Sequence, residues 1–157
     1  MNTEESVRIL NAARAMELGA INIYMRIHYE LANRRLLDLA DRVKEVAISE
    51  MKHAEGLSER ITELGGTPTL DRDIPSESED INRAVIDLYG TLHDMELNTV
   101  DAYNEFIRAL VAAEDEVSAR LLKRYIEEEN EHMSYFYDIM GAVSMYGDTF
   151  LAQHIKV

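Results

Sequence analysis

The chain has 157 residues, with 30 acidic against 16 basic side chains and a formal net charge of −14. That length suits one domain with a substantial core, and an apolar content of 46% marks it as globular rather than disordered. The absence of cysteine excludes disulfides, thiolate-held clusters and thiol nucleophiles, and the acidity excludes the clustered Lys and Arg that grip a phosphate backbone.

The segment from Met1 to Glu5 is acidic where a secretory leader would be basic and then apolar. No run of 18 apolar residues occurs, so no membrane span is expected and the expected location is cytoplasmic. Apolar residues at intervals of three and four predict a first helix over about 3–33, with Val7, Leu10, Glu17, Ile21, Tyr24, His28 and Leu31 inward. A second is expected over about 35–64, with Val43, Val46, Glu50, His53, Leu57, Ile61 and Leu64 inward and Gly65 as its stop. Residues 65–76 hold both prolines, Pro68 and Pro75, and form the one long predicted loop. A third helix, about 77–111, is expected to open on a Ser76/Glu79 capping box, with Val85, Tyr89, Leu92, Glu96, Val100, Tyr103 and Ile107 inward. A fourth, about 115–144, turns Leu122, Tyr125, Glu129, His132, Phe136 and Ile139 inward. Gly147 interrupts the pattern, and 148–155 suits a short fifth helix. No β alternation competes, so the expected fold is all-α: a single domain over 1–157, built as a four-helix bundle of two antiparallel hairpins plus a short C-terminal helix.

Glu17, Glu50, Glu96 and Glu129 occupy stripe positions where Leu or Val is expected. Two of them open a Glu-x-x-His, at Glu50–His53 and Glu129–His132, and residues three apart on a helix share a face. The spacings repeat. Glu17 and Glu50 are 33 residues apart, as are Glu96 and Glu129, and the two halves superpose at an offset of 79. This is an internal duplication of a helical hairpin. In an antiparallel hairpin two residues face each other when they are equidistant from the turn. The midpoints fall at Asn33–Arg34 and Ala112–Ala113, where the periodic pattern pauses. Each pair of glutamates therefore lies at one level, about 24 Å from its turn along an arm of about 16 residues. Aligning the two hairpins requires the chain to return along a bundle of roughly 45 Å. The 15 residues from 65 to 79 reach roughly 50 Å when extended, so a crossover is feasible and accounts for the long loop.

Four carboxylates and two imidazoles then share one level inside an apolar bundle. Bare, the carboxylates would repel one another and suffer heavy desolvation. Two divalent cations would cancel their charge, and this donor set suits iron, manganese or zinc.

At these residues the sequence resembles a bacterioferritin, the haem-capable branch of the ferritins, over essentially the whole chain. Glu17-Leu18-Gly19-Ala20-Ile21-Asn22-Ile23-Tyr24 resembles the family's first-helix motif, and Glu50-Met51-Lys52-His53-Ala54-Glu55 its second-helix motif. Glu129 to His132 fits the fourth-helix motif, with Glu131 where Gly is common. Leu151-Ala152-Gln153 resembles the fifth helix that packs near the shell's four-fold axes. The resemblance implies a ferritin-like fold and a ferroxidase that oxidises Fe(II) to Fe(III) with O2 or H2O2 at a centre of two Fe ions per subunit. Glu50 and Glu129 would bridge the metals. Glu17 with His53 would bind one, and Glu96 with His132 the other. The mineral would be stored in a hollow homo-oligomeric shell of 24 subunits built from dimers, with a ferredoxin-type reductase as a partner for iron release.

Tyr24 would sit beside the centre as a hydrogen-bond donor or redox neighbour, while Tyr103 is expected to be a core residue. Met51, rotated about 100° from Glu50, is expected to point away from the metals. In the family the methionine at this position ligates haem b shared between two subunits, so Met51 is the expected axial ligand. His28 lies about 16 Å along the axis from Glu17 and is not expected to bind the same metals. His93 and His154 are expected at the surface or an interface, Glu127 and Glu128 as solvated or supporting acids, and Glu45 toward solvent or the shell interior. The competing reading is a free-standing di-metal carboxylate enzyme, a rubrerythrin-type peroxidase or an oxygenase. The lack of Cys and the short fifth helix weigh against it. A haem-carrying subunit with an idle site is disfavoured by the presence of all six ligands, and a DNA-protecting mini-ferritin by the acidity.

Overall fold

A computed structural model describes residues 1–73 and 81–157. Five helices follow in order: α1 (Thr3–Asn33), α2 (Leu37–Glu63), α3 (Val85–Ala112), α4 (Glu116–Tyr146) and α5 (Asp148–Ala152). Helices α1 and α2 pack as one hairpin and α3 and α4 as another, with α1 also against α3 and α2 against α4.

The ends of the bundle fix the topology. Arg34 donates to the Ile81 carbonyl at 3.1 Å, so the approach to α3 lies beside the α1–α2 turn. At the other end the Asn2 amide donates to the Ala113 carbonyl at 2.8 Å, and Arg60 near the end of α2 reaches Asp115 at 3.0 Å. Helices α2 and α3 therefore run in the same direction, with the end of α2 and the start of α3 at opposite ends of the bundle. Asp115 caps α4 by accepting from the Ser118 amide at 3.1 Å and the Ser118 hydroxyl at 2.6 Å. Arg60 Nε donates to that hydroxyl at 2.9 Å, so one buried knot joins α2 to α4.

The described part of the crossover lies along α1. Asn11 donates to the Thr67 carbonyl at 3.2 Å and accepts from the Thr69 amide at 2.9 Å. Arg14 donates to the Thr69 carbonyl at 2.6 Å, and the Asp73 amide donates to the Ala15 carbonyl at 2.9 Å. Gly19 permits this approach, because a Cβ there would lie 1.6 Å from the Asp73 carbonyl oxygen.

The hairpin turns repeat like the helices. Arg35 and Glu114, 79 residues apart, both adopt left-handed backbone, at φ 64° and 61°. The next amides close the same loop in each half, Leu36 to the Leu31 carbonyl at 3.0 Å and Asp115 to the Leu110 carbonyl at 2.9 Å.

Helix boundaries differ from expectation at several ends. Helix α2 starts at Leu37 rather than near 35, because the left-handed Arg35 belongs to the turn. Helix α3 starts at Val85 rather than about 77. Residues 81–84 are not helical, and Ala84 is extended at φ −60° and ψ 149°. The expected Ser76/Glu79 cap lies outside the described residues. Helix α4 continues to Tyr146, where Gly147 at φ 51° ends it. Helix α5 stops at Ala152, short of 155. There the chain turns back to bridge Ile155 with Leu36, and the Lys156 amide donates to the Arg35 carbonyl at 2.9 Å.

The apolar core forms two bodies. One gathers Ala20, Tyr24, Ile27, Leu31, Val43, Leu88, Tyr89, Leu92 and Phe136 toward the α1–α2 turn. The other gathers Ile9, Leu10, Ala13, Leu57, Ile61, Tyr103, Leu110 and Leu122 toward the α3–α4 turn. A Gly19→Ala variant should lose about 1–3 kcal/mol, as expected when an added methyl meets backbone that must move. Thermal unfolding of the metal-free protein checks this.

Candidate metal centre

Between the two core bodies lies a polar layer. Glu17 comes from α1, Glu50 and His53 from α2, Glu96 from α3, and Glu129 and His132 from α4, all buried. Helical spacing puts each histidine on the face of its own glutamate, and the equal hairpin arms put the four glutamates at one height. The structure thus brings together all six residues expected at the site.

They form two overlapping sets of atoms that could hold a metal ion. Glu17, Glu50, His53 and Glu129 offer one set, and Glu50, Glu96, Glu129 and His132 the other, with the atoms of each set within 4.8 Å of one another. Glu50 and Glu129 belong to both. His53 Nδ1 lies 2.9 Å from Glu129 and 3.7 Å from both Glu17 and Glu50. His132 Nδ1 lies 3.1 Å from Glu50, 3.6 Å from Glu96 and 3.8 Å from Glu129.

The donors fit cations better than they fit one another. Glu17 Oε2, Glu50 Oε1, Glu96 Oε2, Glu129 Oε2 and His132 Nδ1 are buried without a hydrogen-bond partner. The 3.1 Å approach of His132 to Glu50 is not aligned as a hydrogen bond. Buried polar atoms normally find partners, and five unpartnered atoms within these two sets are what a cation site would leave. Oxygen with imidazole nitrogen suits a divalent first-row metal.

Electrostatics agree. Burial, and then the neighbouring carboxylates, push Glu50 and Glu96 well above the usual carboxylate range. Burial and Glu129 raise Glu17. Burial also opposes ionisation of Glu129. The neighbouring Glu96, then His132, His53 and Glu50, nonetheless hold it well below that range, with His53 Nδ1 hydrogen-bonded to it at 2.9 Å, so it carries the charge. Burial would lower His53, but Glu129 and Glu17 outweigh it and raise the ring to about 10. Without metal the layer holds protons where cations would otherwise balance the charge.

Two tyrosines complete the layer. The Tyr24 hydroxyl donates to Glu96, and the Tyr103 hydroxyl donates to Glu17. Burial and the adjacent carboxylates raise both phenols far above their usual value, so both remain donors. Tyr24 stands where expected. Tyr103 lies in the core as expected, and its hydroxyl in addition reaches Glu17 as that of Tyr24 reaches Glu96. The signal was in the duplication, since Tyr24 and Tyr103 are also 79 apart.

The model of the ferritin-like domain family matches residues 7–145. The bacterioferritin of Desulfovibrio desulfuricans is 42% identical over 147 residues, which is 94% of this chain and 80% of that protein. The chain belongs to the bacterioferritin family. A solved structure of the Desulfovibrio desulfuricans bacterioferritin, concerned with its di-iron site in different catalytic states, superposes at a TM-score of 0.93 and 39% identity. That likeness covers 99% of this chain and 90% of the other. Mycobacterium tuberculosis bacterioferritin BfrA gives 0.87 at 26% identity, covering 96% and 94%. Bacterioferritin of Streptomyces coelicolor is 26% identical over 92% of this chain and 85% of its own length.

The remaining candidate residues of the chain stand apart from the layer. Met51 is 55% exposed on α2, on the surface as expected. His28 is buried, with Nδ1 at 2.6 Å from the Ala40 carbonyl. His154 contacts Asp38 at 2.6 Å beside α5, and His93 lies near Asp94. Glu45 is exposed and pairs with Arg42 at 2.8 Å. Glu127 is exposed, whereas Glu128 reaches back to accept from His53 Nε2. Among the described residues no helix is long and apolar enough to cross a membrane.

The raised groups set the pH response of the metal-free protein. Glu17, Glu50 and Glu96 bind protons more tightly folded than unfolded, so their contribution is lost as pH rises through their folded values. His53 has the same sign, full below its ordinary value and lost as pH rises through about 10. The Glu129 contribution is lost only in acid, as pH falls below the usual carboxylate range. The metal-free protein should therefore melt at a higher temperature at about pH 5.5 than at about pH 8, and saturating Zn(II) should narrow the difference by replacing the protons. Differential scanning calorimetry measures both.

Proposed function

We propose that the protein is an iron-storage and detoxification subunit that oxidises Fe(II) to Fe(III) at the buried polar layer, with O2 or H2O2 as oxidant. The convergence of two four-residue ligand sets sharing Glu50 and Glu129 is the observation that carries this reading. In it Glu50 and Glu129 would be shared between two irons, Glu17 with His53 would hold one, and Glu96 with His132 would hold the other. Iron bound there would supply the electrons that O2 or H2O2 takes. Carboxylates suit a changing charge because they can ligate through one oxygen or two. Tyr24 and Tyr103 fix Glu96 and Glu17 by donating to them, and keep those carboxylates aimed inward.

Membership in the family supports storage, in which the oxidised iron would be deposited as mineral in a hollow shell of 24 copies. Met51, exposed on α2, is the residue through which two subunits would share a haem b, since a thioether is a suitable axial ligand.

Replacing Glu17 or Glu96 by Ala should slow rapid Fe(II) oxidation by at least the roughly 100-fold that loss of a supporting outer group can cost, with helical content unchanged. Stopped-flow absorbance of ferric formation reads this, and undiminished rates in both variants overturn the site. Size-exclusion chromatography with dual protein and haem absorbance tests the assembly. A species of about two dozen subunits carrying haem, with haem lost in Met51→Leu, is expected. A small oligomer that stays small after iron loading overturns storage.

A further inference from the structure

His53 is held from outside the metal layer by residues the proposed reaction does not use. Its ring stacks on Tyr125 of α4, with centroids 4.2 Å apart and planes inclined by 23°. Its Nε2 donates to Glu128, whose side chain is half exposed at the cleft lined by Lys52, Arg124, Tyr125 and Glu127. A carboxylate can only accept, so Glu128 keeps a proton on Nε2 and leaves Nδ1 to face Glu17, Glu50 and Glu129. Among the described residues no ring stacks on His132, and its Nδ1 has no hydrogen-bond partner. The stack exists because α2 carries glycine one turn-face away. A Cβ on Gly56 would lie 1.9 Å from the Tyr125 hydroxyl oxygen and 3.2 Å from the ring carbon that bears it.

We propose that Tyr125, seated in the space left by Gly56, is the positioning residue of His53, and that it makes the His53 half of the metal pair bind more tightly than it otherwise would. A ring clamped on one face and at Nε2 has lost its rotational freedom before the metal arrives, so binding need not supply that order. The effect of the stack lies in the affinity and ligand field of one metal position. This inference rests on the reading of the polar layer as a two-metal site.

Anaerobic titration of the full-length, metal-free protein with Co(II), followed by its visible ligand-field bands, tests it. The unaltered protein should take up two Co(II) per subunit. Tyr125→Leu should weaken one of the two about tenfold or more and shift its bands, within the range seen when outer groups of metal sites are removed. Gly56→Ala should do the same with Tyr125 still present, because the new methyl displaces the tyrosine tip while alanine favours the helix. Tyr125→Phe, which keeps the stacking ring, should retain both sites. Melting of the metal-free variants should match that of the parent. Two undisturbed sites in both Tyr125→Leu and Gly56→Ala overturn the proposal, as does a Tyr125→Phe variant as weak as Tyr125→Leu. Fewer than two Co(II) in the unaltered protein overturns the two-metal reading itself, and this inference with it.

Discussion

Burying four carboxylates and two imidazoles at one height is the constraint on which the rest of the molecule depends. Such a layer cannot be packed like a core, because each ionised oxygen taken out of water needs a proton, a donor or a cation. The apolar interior is accordingly divided into two bodies, one toward each end. The layer's partners come from those bodies. Tyr24 reaches out of one to Glu96, and Tyr103 reaches out of the other to Glu17. What remains is a set of inward-facing atoms without partners, which is the state a cation site requires of its protein. Holding four helices in register around that set falls to the ends of the bundle, where Arg60, Asp115 and Ser118 tie α2 to α4.

Much of this was legible in the sequence because a helix converts spacing into direction. A glutamate in an apolar stripe is conspicuous, and four at repeating intervals leave little choice about where they meet. Glu17, Glu50, His53, Glu96, Glu129 and His132 could be brought together on paper for that reason. Other features depend on contacts between chains of residues that no period encodes. Tyr103 looks like any core aromatic until the opposite hairpin is placed against it. Gly19 and Gly56 read as ordinary helical glycines, yet one admits the Asp73 carbonyl and the other the Tyr125 ring. The start of α3 was obscured by Ser76 and Glu79, a local capping signal ahead of residues 81–84, which are not helical. The turns were hidden too, because Arg35 and Glu114 take a left-handed conformation that usually signals glycine.

The membership in the bacterioferritin family and the geometry bear on different questions. The family match spans nearly the whole chain and fixes the fold. The overlapping ligand sets speak to chemistry, since fold alone does not carry function. Where the two meet, at carboxylates shared between both metal positions, they point the same way.

The crossed tyrosines have a consequence for how the two halves came to share one chain. Each hairpin keeps its tyrosine for the other's glutamate, so neither satisfies itself. A single ancestral hairpin would have carried a hydroxyl and a carboxylate that could be matched only by a second copy turned about a two-fold axis. The long connection between α2 and α3 then reads as the seam of a fused dimer, and the polar layer as the place where its two copies once met.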